Sequence, residues 1–181
     1  MTDKRIVIFG SPGSGKGTQA VMIAKELDLK KISLGDILRE EVKKGSELGE
    51  KVKSYMEKGL LVPDDLVSQV IEENIAQTGF ILDGYPRNLD QAKNLEAILK
   101  KKNLEIDIFL YLQVNQETII ERLTKRGRGD DDPEVIAKRW EVFINECNQI
   151  LEFYRNNGKL MEVNGQGSIE DIFKRIKDLL E

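Results

Sequence analysis

The chain has 181 residues, 33% of them charged and 40% hydrophobic, enough for one globular domain with a substantial core. Its formal net charge of −4 argues against general affinity for nucleic acid, and neither a membrane-length apolar stretch nor a hydrophobic leader is evident, so the expected setting is the cytoplasm with no membrane partner. One cysteine and no histidine exclude an internal disulfide, a cysteine zinc cluster, Ser-His-Asp catalysis and histidine-ligated metals, so any chemistry must run on Lys, Arg, Asp and the backbone.

The first predicted strand, 4–9, carries the apolar run Ile6-Val7-Ile8-Phe9. It leads straight into Gly10-Ser11-Pro12-Gly13-Ser14-Gly15-Lys16-Gly17-Thr18, with a helix expected over 15–27. A glycine-rich turn between strand and helix lets several backbone N–H groups point at one anion. The helix N-terminus adds partial positive charge and Lys16 a full one. Gly10, Gly15 and Lys16 fit the P-loop spacing G-x-x-x-x-G-K-[ST] up to its last place, which holds Gly17; a hydroxyl arrives only at Thr18. An ordinary strand–helix turn needs one or two glycines, whereas Gly10, Gly13, Gly15 and Gly17 all fall here. The ligand such a turn suits is a nucleotide polyphosphate.

A second strand is expected over 30–32, then helices over 34–44 and 47–57 with no strand between them. Residues 33–62 therefore read as a helical insertion. A helix over 64–77 follows, with Pro63 at its start. The strand 79–83 ends as Phe80-Ile81-Leu82-Asp83, apolar residues delivering a carboxylate to the sheet edge, where such an acid positions Mg²⁺ or its waters; capping the next helix is the plainer use. Arg87 sits on a turn pinned by Pro86, where its planar fork can chelate a phosphate. Beyond a helix over 88–101 and a strand over 107–113, a helix over 116–126 places Arg122 and Arg126 on one face. The polar connection 127–132 contains Arg128. A helix over 133–156, opened by Pro133, carries Arg139, and a strand over 160–163 and a helix over 168–180 complete the chain, with Ser33 and Ser168 as expected N-caps. Strand–helix alternation implies an α/β fold of three layers, α/β/α, around a five-stranded parallel sheet, with ligands beyond the strands' carboxyl ends. The chain reads as one domain: a core of 1–32, 63–126 and 133–181 with the insertion 33–62 and the loop 127–132. Each of the arginines alone reads as a surface residue; together with Arg39 and a P-loop they point to two polyphosphate groups brought together.

These residues resemble the nucleoside monophosphate kinases, the adenylate kinase branch most closely, over essentially the whole chain. Gly10–Thr18 resembles that branch's P-loop, including glycine after the lysine. Ile32-Ser33-Leu34-Gly35-Asp36-Ile37-Leu38-Arg39 resembles the start of its monophosphate-binding insertion and Gly59-Leu60-Leu61-Val62-Pro63-Asp64 its end. Asp83-Gly84-Tyr85-Pro86-Arg87 matches its Asp-Gly-aromatic-Pro-Arg motif, and Gln91 falls where adenylate kinases carry the glutamine that reads adenine. Arg122, Arg126, Arg128 with Asp130 and Asp131, and Arg139 fit the arginines around the lid, here the short stretch 127–132. Asn164-Gly165-Gln166-Gly167-Ser168 resembles the loop bordering the ATP adenine.

The resemblance implies reversible phosphoryl transfer from Mg-ATP to AMP, giving two ADP. It implies a catalytic set of Lys16, Asp83, Arg87, Arg122, Arg126, Arg128 and Arg139. ATP is expected on Gly10, Gly13, Ser14, Gly15, Lys16, Gly17, Thr18, Arg122, Arg126, Gln166 and Gly167. AMP is expected on Leu34, Arg39, Leu61, Val62, Gly84, Arg87, Gln91, Arg128 and Arg139. Mg²⁺ is expected with ATP, oriented by Asp83 through water; the short lid leaves no place for a structural zinc, and a monomer is implied. Leu34 stands where adenylate kinases usually carry threonine, which motivates the alternative of a UMP/CMP or broad-specificity kinase. A module that binds ATP and AMP without turnover is a further alternative, against which the complete arginine set argues.

Overall fold

The computed structural model describes residues 3–126 and 132–180, the side chains of 124–126 excepted. Strands β1 (Arg5–Phe9), β2 (Lys30–Ser33), β3 (Phe80–Asp83), β4 (Ile108–Gln113) and β5 (Leu160–Asn164) form one sheet in the order β2-β3-β1-β4-β5, with every neighbouring pair parallel. Parallel neighbours need crossover connections, and helices supply them. These are α1 (Lys16–Leu27), α2 (Leu34–Lys44), α3 (Glu47–Glu57), α4 (Asp64–Asn74), α5 (Leu89–Lys101), α6 (Gln116–Arg126), α7 (Pro133–Asn156) and α8 (Ile169–Leu180). The expected five-stranded parallel sheet and its three layers are therefore present.

Period-two alternation in β1 divides the core in two. Ile6 and Ile8 pack with Ile23 of α1 and Ile176 of α8 on one face; Val7 and Phe9 pack with Ile71, Leu95 and Ile150 of α4, α5 and α7 on the other. Burial on both faces is why these strands are continuously apolar. Phe109 of β4 stacks on Tyr154 of α7 with ring centroids 3.9 Å apart.

Local signals acted where they were expected. Ser33 Oγ accepts from the Asp36 N–H at 3.4 Å, and Ser168 Oγ accepts from the Asp171 N–H at 3.1 Å. Asp132 caps α7 by accepting from the Glu134 N–H, with Pro133 opening the helix. One boundary differs by more than a residue: α4 ends at Asn74 rather than 77. Asn74 Nδ2 donates to the Val70 carbonyl at 2.8 Å, and Ile75 turns extended (ψ 122°), which buries its side chain. Among the described residues no helix is long and apolar enough to cross a membrane.

The register fixes where the site lies. Ile8 pairs with Asp83 and Ser33 also pairs with Asp83, so β1, β2 and β3 finish level at their carboxyl ends. The glycine-rich turn, the strand-end acid and the start of α2 emerge side by side.

Candidate active site

A cleft of about 810 Å³ opens above those strand ends. Its described lining carries six cationic side chains, Lys16, Lys31, Arg39, Arg87, Arg122 and Arg139, against two carboxylates, Asp36 and Asp83. A chain of net charge −4 has thus gathered positive charge in one concave place, which favours a polyanion.

On one side the turn after β1 folds tightly: the Ser14 N–H donates to the Ser11 carbonyl at 3.1 Å, and Lys16 Nζ donates to that same carbonyl at 3.0 Å. Gly13 has φ +81°, and a Cβ there would lie 2.7 Å from Leu123 Cγ, so only glycine lets the turn lie against α6. A Cβ at Gly17 would stand 3.3 Å from Asp83 Oδ2, a close approach in which one of the two must give by a few tenths of an ångström. Arg122 ties the turn to the loop before α8: Nη1 donates to the Ser14 carbonyl at 2.8 Å and Nη2 to the Gly165 carbonyl at 3.1 Å. Arg175 in turn donates to the carbonyls of Asn164, at 2.9 Å, and Gln166, at 2.6 Å.

On the other side Arg39 donates to Asp36 at 2.6 Å, and Lys31 meets the same carboxylate at 3.2 Å. Burial pushes the Asp36 carboxyl up, but hydrogen bonds from Arg39, Ser33 and Lys31 outweigh it and hold the group down at about 2. Arg87 Nε donates to the Gly84 carbonyl at 2.8 Å, which folds the guanidinium back over the end of β3. The Arg87 N–H donates to Gln91 Oε1 at 2.7 Å, and Gln91 Nε2 donates to Asp64 at 2.7 Å. Asp83 is 8% exposed with Oδ1 buried and unpartnered; Ser14 Oγ is also buried and unpartnered. Unmatched buried polar atoms around the turn fit a site built for a charged, hydrogen-bonding guest.

A family model described as Adenylate kinase matches residues 8–159. A protein named Adenylate kinase from Parabacteroides distasonis is 43% identical over 181 positions, covering 96% of this chain and 95% of its own. One of that name from Mycobacterium tuberculosis is 40% identical over 175 positions, covering 94% and 96%. The chain belongs to the adenylate kinase family. A third relative of that name, from Thermoanaerobacter pseudethanolicus, is 36% identical over 211 positions with 97% of each chain covered. That alignment is longer than this chain, so this relative carries segments the chain lacks.

The residues that the family resemblance singled out are placed unequally. Gly13, Gly15, Lys16, Gly17 and Thr18 line the cleft, as do Asp83, Gly84 and Gly167 with Arg39, Arg87, Arg122 and Arg139. Gly10 and Leu61 line a smaller cavity of about 70 Å³ beside it, which Lys16, Gly84, Arg87 and Arg139 also reach. Leu34, 2% exposed, and Val62 sit in the core cluster rather than on the cleft wall. Gln91, 1% exposed, lies behind the Arg87 turn, and Gln166 is exposed in the loop held by Arg175. Arg128 and the side chain of Arg126 lie outside the described residues, as do Asp130 and Asp131.

Sequence reasoning missed the residues that hold others in place. Asp36, itself bonded by Lys31, holds Arg39, Asp64 engages Gln91, and Arg175 shapes the 164–166 loop. Only Asp36 carried a legible signal, three residues before Arg39 on one helix.

Proposed function

We infer that this chain transfers the γ-phosphoryl group of ATP to AMP, reversibly giving two ADP. The observation that carries the reading is the meeting of six cations from six separate segments at one glycine-rich phosphate turn. One polyphosphate needs the turn; a second phosphate group accounts for Lys31, Arg39 and Arg87 across the cleft.

In this reading the N–H groups of Gly13–Thr18 and the Lys16 ammonium hold the β- and γ-phosphates of ATP. Lys16 exchanges the neutral Ser11 carbonyl for charged phosphate oxygens, a stronger acceptor. Arg39 and Arg87 fix the AMP phosphate in line, while Leu61, Gly84 and Gln91 border its base, with Leu34 and Val62 packed beneath. Arg122, Arg126, Arg128 and Arg139 spread charge over the transferring group, and Gln166 and Gly167 border the ATP adenine. No general base is needed, because the attacking phosphate oxygen is already ionised; catalysis is positioning and electrostatics.

The residues fit a magnesium ion brought with ATP. Asp83 Oδ1 is a buried, unpartnered hard oxygen, and no group of three or more acidic, histidine or cysteine ligands occurs among the described residues, as suits an ion held mainly by phosphate oxygens and waters. When bound, the metal neutralises charge on the β- and γ-oxygens. We further propose that 33–62 is the monophosphate-binding insertion and 127–132 a short lid, both closing over the nucleotides to exclude water. The extra alignment length of the Thermoanaerobacter relative supports a shortened form here. A cytoplasmic monomer belongs to the same reading.

The deciding experiment mixes the protein with Mg-ATP and each of AMP, CMP, UMP and GMP. ADP formed fastest with AMP supports the reading; no ADP with AMP removes it.

A further inference from the structure

Helices α2 and α3 end in the same way. α2 closes at Gly45, whose N–H donates to the Val42 carbonyl at 3.1 Å while the Ser46 N–H donates to the Glu41 carbonyl at 3.2 Å. α3 is closed by Gly59, whose N–H donates to the Met56 carbonyl at 3.2 Å while the Leu60 N–H donates to the Tyr55 carbonyl at 2.9 Å. The two φ angles are +65° and +66°, so the backbone asks for glycine equally at both places. Their surroundings differ. A Cβ on Gly45 would meet nothing within 4 Å, whereas one on Gly59 would lie 2.9 Å from the Val135 carbonyl oxygen and 3.1 Å from both Arg139 Cγ and Val135 Cγ1. The first of these is closer than real Cβ atoms approach, and its partner is backbone, so the chain at 59 would have to move off α7. The connector from α3 to α4 thus lies directly on the first turns of α7. Gly59 and Leu61 of the connector line the small cavity together with Arg139, Lys16 and Arg87.

We propose that Gly59 is a positioning residue for the transfer reaction: having no side chain, it seats the α3–α4 connector on the stem of Arg139 and so fixes where the Arg139 guanidinium stands in the cleft. This rests on the reading above that Arg139 spreads charge over the transferring group. Arg139 lines both cavities, and the connector meets it at Cγ, so a displacement there is carried along the side chain to the charged end. A cation stabilises developing charge best when it needs no rearrangement at the moment of reaction, and a misplacement of about 1 Å costs on the order of 10²-fold in rate. Helix closure accounts for glycine at 45 and at 59 alike. It does not account for the packing on α7, which Gly59 alone of the two makes.

The test is a matched pair, Gly59→Ala against Gly45→Ala. Both impose the same left-handed strain, and only the first puts a methyl group against α7. With Mg-ATP and AMP, kcat of Gly59→Ala should be about tenfold below that of Gly45→Ala, with KM for ATP within about twofold in both. Values of kcat within about twofold of each other overturn the proposal, as does a difference confined to KM. Arg139→Lys keeps the stem and a charge but replaces the planar fork with an ammonium on a flexible chain, which can follow a small shift. In that background the two alanine variants should turn over within about twofold of each other; a larger difference also overturns the proposal, because Gly59 would then not act through the Arg139 fork. Gly59→Asn against Gly45→Asn, where the left-handed conformation costs less, serves if an alanine variant does not fold. A wild-type protein that makes no ADP from ATP and AMP removes the underlying reading. A wild type that makes ADP while the matched pair behaves alike removes only this inference.

Discussion

On the side of the cleft built by the β1–α1 turn, α6 and the loop before α8, cations rest on backbone carbonyls. Lys16 lies on Ser11, Arg122 on Ser14 and Gly165, and Arg175 on Asn164 and Gln166. On the side built by β2, α2, α4 and the β3–α5 turn, carboxylates hold the donors: Asp36 takes Arg39 and Lys31, and Asp64 takes Asn88 and Gln91. There too Arg87 Nε lies on the Gly84 carbonyl. A neutral carbonyl yields a cation to an arriving phosphate at little cost, whereas a carboxylate competes through charge-assisted bonds roughly twice as strong. The first side is ready for a polyphosphate as it stands. The second is shaped in advance and must partly exchange its partners to receive a phosphate.

Removing the one ammonium at the turn tests the first side most severely. Lys16→Met should lower kcat by about 10²-fold or more, with melting temperature nearly unchanged. Unchanged turnover in an ADP-release assay would take Lys16 out of the mechanism. Gly17→Ser asks whether the turn is tuned to Asp83. It restores the common P-loop pattern yet brings a Cβ to 3.3 Å from Asp83 Oδ2, so kcat should fall roughly tenfold. A gain in turnover would show that Asp83 does not need that space.

A matched pair of conservative changes separates the two sides directly. Arg39→Lys loses the planar fork on the acceptor side and should raise KM for AMP by roughly 5- to 10-fold while leaving KM for ATP alone. Arg122→Lys should do the reverse. If both variants shift both constants equally, the division of the cleft drawn above is wrong.

Much of this arrangement was legible in the chain. The β1 run, the glycines after it and Asp83 at the end of an apolar strand each point to a place on the sheet edge, because a parallel sheet leaves few other places for them. What escaped were partners that spacing does not encode. Nothing in the sequence says that Asp64 faces Gln91 rather than water, or that Arg175 reaches back 11 residues to the Asn164 carbonyl. Gly17 departs from the common P-loop pattern but resembles the family's, and the Asp83 carboxylate beside it is a neighbour that spacing does not encode. Leu34 read as a binding position, yet its apolar side chain joins the core under α2, where its burial is worth most. The end of α4 was misplaced because Asn74 bonds back to Val70, a local competition that hydrophobic periodicity does not register.

The smallest effect expected is also the one that tests the carboxylate side by pH. Asp36 ordinarily titrates at 3.8 and is held at about 2 here. Its folded value lies below its unfolded one, so its contribution to stability is fully present above the ordinary value and is lost as pH falls toward 2. The carboxylate is half-exposed, so solvent screens the gain, and the melting-temperature advantage of wild type over Asp36→Asn should be only about 1–3 °C at neutral pH. That gap should close between pH 3.8 and 2. An Asp36→Asn gap that persists to pH 2 would mean that packing of α2, rather than ion pairing, keeps Arg39 in place. The carboxylate would then offer no real competition to an incoming phosphate, and the two sides of the cleft would bind by the same rule.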